Sequence, residues 1–156
     1  IGIMFSIFIL AMCEELLCRF IMLEKFITIS SKLNSILIST LFFMALHLGN
    51  PGMSIFAAFN LLLFGFLLSL IYYKTKDLLL ITIIHFGWNY TTGCLIGSNV
   101  SGIKLPSLFK YIGGKSVFLD GDKFGIEGSP ITLLGIILII GVYTVYSKRV
   151  DDKLIQ

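Results

Sequence analysis

Three short polar patterns interrupt sequence that is otherwise almost wholly apolar: Glu14, Glu15 and Arg19; Phe43 and His47; His85 and Asn89. Ionisable groups are expensive to hold in hydrocarbon, so their recurrence in separate apolar segments implies a shared buried site that repays the cost. Residues four apart on a helix share a face. Glu15 can therefore pair with Arg19, His85 and Asn89 can converge on one ligand, and Phe43 can shield the face that carries His47. Pairing Glu15 with Arg19 leaves Glu14, about 100° round the helix, as the carboxylate free for chemistry. Glu14 and His47 can activate a water, while His85 and Asn89 can donate to an oxyanion formed on a peptide carbonyl. The reaction class this predicts is peptide-bond hydrolysis.

These groups need elements to hold them, and composition says which kind. Hydrophobic residues make up 56% of the 156 residues and charged ones 13%, far more apolar than a soluble domain. The sequence predicts an all-α, polytopic transmembrane bundle of about five helices, multi-pass in the cell membrane, with the lipid bilayer as its surroundings. The formal net charge of +3 does not signal a nucleic-acid partner, because the basic residues fall in short loops and form no patch with interleaved aromatics. The cysteines, Cys13, Cys18 and Cys94, show neither metal-ligand nor disulfide spacing and are expected as small core residues.

The first apolar run covers about Ile1 to Leu23, and its adjacent carboxylates exclude a signal peptide. The chain begins with Ile1 and enters this run directly, so further helices upstream are expected. A second run, about Leu33 to Leu48, stops at Gly49, Asn50, Pro51 and Gly52, a set of turn formers. A third covers about Met53 to Tyr73, and a fourth starts near Asp77, a suitable N-cap, and reaches about Ile96. Residues 97–130 are Gly-rich and charged and predict an aqueous loop lying on the membrane surface. The last helix is expected at 131–147, anchored by Lys148 and Arg149. Lys25, Lys32, Lys74, Lys76, Lys148, Arg149 and Lys153 fall on one side of this topology, which predicts a cytoplasmic C-terminus. At 1.5 Å per residue, Glu14, His47 and His85 lie about 13, 21 and 12 Å along their helices, which allows one common site.

The three patterns resemble those of the CPBP family, the CAAX protease and bacteriocin-processing family of intramembrane proteases also called ABI proteins. Glu14, Glu15, Leu16, Leu17, Cys18 and Arg19 match its first element; Phe43 to His47 match the second; His85, Phe86, Gly87, Trp88 and Asn89 match the third, all in family order. Phe20 stands where many relatives have Gly. The resemblance implies one intramembrane protease domain over 1–156, with its core motifs within 14–89. It implies endopeptidase activity on a peptide or protein substrate in the membrane, with a possible role in bacteriocin processing or immunity. Glu14, His47, His85 and Asn89 are then the catalytic set, supported by Glu15, Arg19 and Phe43.

Metal use follows less directly. Glu14, His47 and His85 are adequate zinc ligands, yet the HExxH helix of zinc proteases is missing. A metal-free, glutamate-based hydrolysis with no cofactor is favoured, with zinc as the alternative. Two other classes fit parts of the pattern: a non-catalytic immunity or scaffold protein that binds peptide without cutting it, and a proton-coupled transporter. The second would be expected to show repeats and broken helices, which are absent from the sequence.

Overall fold

The computed structural model describes residues 2–113 and 116–154. Its helices are α1 (Gly2–Glu15), α2 (Glu24–Ile27), α3 (Lys32–Ala45), α4 (Ile55–Thr75), α5 (Leu78–Asn89), α6 (Val117–Asp120) and α7 (Pro130–Leu154). A π-helical segment, Leu16–Leu23, joins α1 to α2, and a second, Tyr90–Ile96, continues α5. Five long helical runs result, as the apolar windows predict. Three of them, Ile55–Thr75, Leu78–Ile96 and Pro130–Arg149, are long and apolar enough to cross a membrane. The chain is an all-α, multi-pass membrane protein.

Side-chain caps set three helix starts. Ser31 accepts from the Asn34 N–H at 3.3 Å, Ser54 from that of Ala57 at 3.1 Å, and Asp77 from that of Leu80 at 2.9 Å. Each satisfies an N–H that the first helical turn leaves unpaired, worth about 1 kcal/mol. At the other end of α4, Lys76 adopts φ 54°, a left-handed residue that stops the helix.

The bundle packs α3 on α4, α1 on α5, and α4 on α7. Leu23, Ile36, Leu67, Leu68 and Ile81 fill the core near the charged ends of the helices. Cys18, Phe43, Ala57, Leu61 and Phe124 form a second cluster. At the charged end, Lys76 meets Glu24 at 2.6 Å and Lys32 lies over the Tyr73 ring at 4.2 Å, bringing the ends of α2, the start of α3 and the end of α4 together. Lys74 reaches the Ser147 carbonyl at 3.4 Å, which adds the end of α7 to the same side. Along α7, Leu134, Leu138, Val142 and Tyr146 face outward, as expected of a lipid-facing helix.

Four features depart from the sequence expectation. Helix α3 ends at Ala45, so His47 lies in the turn beyond it, where its N–H takes the tighter bond to the Met44 carbonyl at 3.0 Å; the turn formers from Gly49 onward stop the helix early. The first helix is π-helical from Leu16, and the Glu24 N–H reaches back five residues to the Arg19 carbonyl. The segment before α7 is not simply a surface loop. Phe124 is fully buried and Glu127 and Ser129 nearly so, because the segment folds back against α4 and α5 instead of lying in water. Finally, Cys13 is exposed, whereas Cys18 and Cys94 are buried.

Candidate active site

Glu15 and Arg19 are both fully buried and form the expected pair, with Arg19 Nη1 3.0 Å from both carboxylate oxygens. Two lone charges in hydrocarbon would each pay heavily, so pairing is the condition for burying either. Arg19 does more than pair. Its Nη2 donates to the Gly65 carbonyl on α4 at 2.9 Å, and its guanidinium lies 4.5 Å from the centre of the Phe43 ring. Gly65 makes this approach possible: a Cβ there would sit 3.1 Å from the Phe43 ring and 3.4 Å from Arg19 Nη2.

The carboxylate of Glu15 also bonds His85, with Nδ1 2.8 Å from Oε1. An ionised carboxylate offers only lone pairs, so Nδ1 must carry hydrogen and donate. His47 is fixed in the same sense, since its Nδ1 lies 2.9 Å from the Phe43 carbonyl. Each histidine therefore turns Nε2 toward the interior as the end free to exchange a proton. Both meet Glu14: its Oε2 is 3.8 Å from His47 Nε2 and 3.8 Å from His85 Nε2, and it is buried without a hydrogen-bond partner. These gaps are too long for direct hydrogen bonds and suit an intervening water. Phe43 packs against both rings, at 4.8 Å from His47 and 5.7 Å from His85.

Beside the histidines lies a crevice with room for one water-sized molecule. His47, His85 and Asn89 line it. So do three residues the sequence did not single out: Asn60 on α4, Trp88 on α5, and Glu127. The Trp88 indole donates to Glu127 Oε1 at 2.6 Å, and the Ser101 N–H donates to Oε2 at 2.6 Å. Asn60 Nδ2 donates to the carbonyls of Glu127 and Ser129 at 2.6 and 2.9 Å. These bonds clasp residues 126–129 onto the bundle and make them a wall of the site. Burial pushes the Glu127 carboxyl above the usual carboxylate range, an effect that the Ser101 and Trp88 donors partly offset. A signal existed for Asn60, an amide in the apolar run of α4. None existed for Glu127, one of several acids in a Gly-rich stretch.

Among the described residues no group of three or more His, Cys, Asp or Glu is placed to hold an ion. Glu14, His47 and His85 nonetheless come together around Glu14 Oε2 at 3.8 Å, a few tenths of an ångström wider than neighbouring donors on a tetrahedral zinc, so these three would hold such an ion.

The site's first-half residues occupy a stretch with a recognisable signature. A family model described as Rce1-like, type II CAAX prenyl endopeptidase Rce1-like, matches residues 1–91. That span contains every residue of the three polar patterns and ends before the segment that carries Glu127. No curated protein and no solved structure matches the chain.

Proposed function

The chain belongs to the Rce1-like family of type II CAAX prenyl endopeptidases, and from that premise we propose that it is an intramembrane endopeptidase in which Glu14 activates the hydrolytic water. The observation that carries this is the position of Glu14 Oε2, buried, unpartnered and 3.8 Å from two imidazole Nε2 atoms. With both Nδ1 atoms committed as donors, the neutral rings offer lone pairs, as the carboxylate does. Acceptors facing one another call for a molecule with hydrogens to give, and water is the simplest, with one hydrogen for Glu14 and one for His47.

In this mechanism Glu14 takes one proton while the water oxygen attacks the carbonyl carbon of the substrate, with His47 orienting the water. The carbonyl electron pair moves onto its oxygen. Asn89 donates its amide N–H to that oxygen, and His85 joins it when Nε2 carries a proton. Collapse of the tetrahedral species breaks the C–N bond, and the proton held by Glu14 passes to the leaving amine. Glu15 holds His85 in the required orientation, a positioning role beyond the ion pair with Arg19. The substrate is a membrane-associated peptide or protein; CAAX-terminated chains and bacteriocin-like peptides are both compatible with it. Positive charge at the shared end of α2, α4 and α7 supports a cytoplasmic placement of that end and of the C-terminus.

Reconstitution into liposomes with a farnesylated CAAX peptide, followed by mass spectrometry of the products, tests the proposal. Wild type is expected to cut one peptide bond and Glu14→Gln to cut none at a comparable rate. Equal cleavage by the two would remove Glu14 from the chemistry.

A further inference from the structure

Helix α4 is an apolar span, yet Asn60 sits within it, 3% exposed, on the wall of the crevice that holds His47, His85 and Asn89. Its orientation is not arbitrary. Nδ2 donates to two backbone carbonyls, of Glu127 at 2.6 Å and Ser129 at 2.9 Å, and reversing the amide would press its oxygen against both. The side-chain carbonyl is therefore fixed away from them. It has no partner: Asn60 Oδ1 is buried and unbonded, although the amide nitrogen of the same group is doubly satisfied. Buried acceptors left this way are uncommon, and each calls for a ligand or a water.

The chemistry of an intramembrane substrate supplies such a ligand. To be cut, a peptide must lie extended, with its backbone N–H groups no longer paired within a helix. In hydrocarbon each unpaired N–H is costly, so the enzyme must provide acceptors. Of the other acceptors beside the site, Glu14 Oε2 faces the two histidines and is assigned to the hydrolytic water. Glu127 is held by Trp88 and Ser101, and Glu15 by Arg19 and His85.

We infer that Asn60 is a substrate-positioning residue whose side-chain carbonyl accepts a backbone N–H of the bound peptide. This rests on the endopeptidase proposal for the nature of the ligand, but it concerns binding and is read without turnover. The clasp gives it a further property. Because its orientation is set by carbonyls at 127 and 129, a segment beyond the family-matched residues 1–91 tunes an acceptor within them.

The test pairs a change in the peptide with a change in the protein. A fluorescent farnesylated CAAX peptide is made as a series in which an ester replaces each non-scissile backbone amide in turn, removing one N–H at a time. Affinities are measured by anisotropy on the full chain in nanodiscs, for wild type, Asn60→Leu and Asn60→Asp. One ester position is expected to weaken binding to wild type by roughly three- to tenfold, the scale of one neutral hydrogen bond. The same ester is expected to cost nothing further in Asn60→Leu and to keep its cost in Asn60→Asp, whose carboxylic acid form donates its O–H to a clasping carbonyl and keeps the other oxygen as the acceptor. A purely structural role for Asn60 would not produce this dependence on a single peptide N–H. If Asn60→Leu does not fold, Asn60→Asp and Asn60→Ala carry the comparison. An ester penalty that is absent from wild type, or equal in all variants, overturns the assignment and leaves the endopeptidase proposal standing. A penalty confined to chains with an acceptor at position 60, without cleavage of any peptide, supports the assignment and defeats the endopeptidase proposal. Failure of wild type to bind any member of the series overturns the assignment.

Discussion

Glu15 and His85, 70 positions apart, meet through a carboxylate oxygen and a ring nitrogen 2.8 Å apart. This contact joins α1 to α5 and couples two of the three polar patterns. Arg19 holds the same carboxylate from one turn along the chain, so one acid both neutralises a buried guanidinium and orients an imidazole. Adjacent glutamates thereby have different surroundings: Glu15 is held by Arg19 and His85, and Glu14 keeps a bare oxygen facing two histidines.

Substitution Glu14→Gln preserves volume and removes the proton acceptor. The expected loss in kcat is about 10²- to 10⁴-fold, the usual contribution of a general base, with KM little changed and the thermal midpoint within a few degrees of wild type. A loss confined to KM would place Glu14 in binding and not in proton transfer.

The Glu15–Arg19 pair predicts a stability effect instead. Glu15→Ala strands a guanidinium that is 0% exposed, and Arg19→Ala strands the carboxylate, each costing about 3–5 kcal/mol. Arg19→Lys is expected to rescue poorly, because a single ammonium cannot serve Glu15, the Gly65 carbonyl and the Phe43 ring at once. Denaturation in mixed micelles checks this, and wild-type stability of Arg19→Lys would show that charge alone suffices.

At Gly65 the demand is for space. Ala would bring a methyl to 3.1 Å from the Phe43 ring, tight enough to push that ring toward His47 and His85. Gly65→Ala is expected to cut activity by roughly tenfold while costing only about 1–3 kcal/mol of stability. Retention of full activity would mean that Phe43 can shift without disturbing the histidines.

The raised carboxyl of Glu127 gives a pH dependence of known sign. Its folded pKa lies above the unfolded value, mainly through burial, so the stabilising effect of its proton is complete below the ordinary carboxylate range and is lost as pH rises through the folded value. Wild type is therefore expected to lose stability relative to Glu127→Gln on going from acid to neutral pH. Parallel melting curves for the two proteins across that window would contradict the assignment.

Metal dependence is tested by chelation with metal analysis of the purified protein. The glutamate-based scheme predicts that cleavage survives chelators with no change in rate. Stoichiometric zinc whose removal abolishes cleavage would replace the glutamate-based scheme.

Much of this was legible in the chain. Apolar run lengths marked the helices, Asp77 marked a cap, and the i, i+4 spacing of Glu15 and Arg19 predicted their pair, all relations settled within a few residues. The end of α3 was misplaced because turn formers beyond His47 act on the helix before them. The stretch from 97 onward looked aqueous because glycine and charge usually keep a segment in water. Here its acid finds donors on Trp88 and Ser101, and Phe124 enters the core.

By itself, then, the sequence determined the membrane-spanning helical class and the residue types of the site, because hydropathy and helical period are local properties. Which face of each helix turns inward against which neighbour depends on packing among distant segments. Only the tertiary structure decided that Glu15 orients His85, that Glu14 faces both histidines, and that Asn60 is clasped by the carbonyls of Glu127 and Ser129. Those pairings are selected by the cost of leaving buried polar groups unmatched, which no single segment can settle alone.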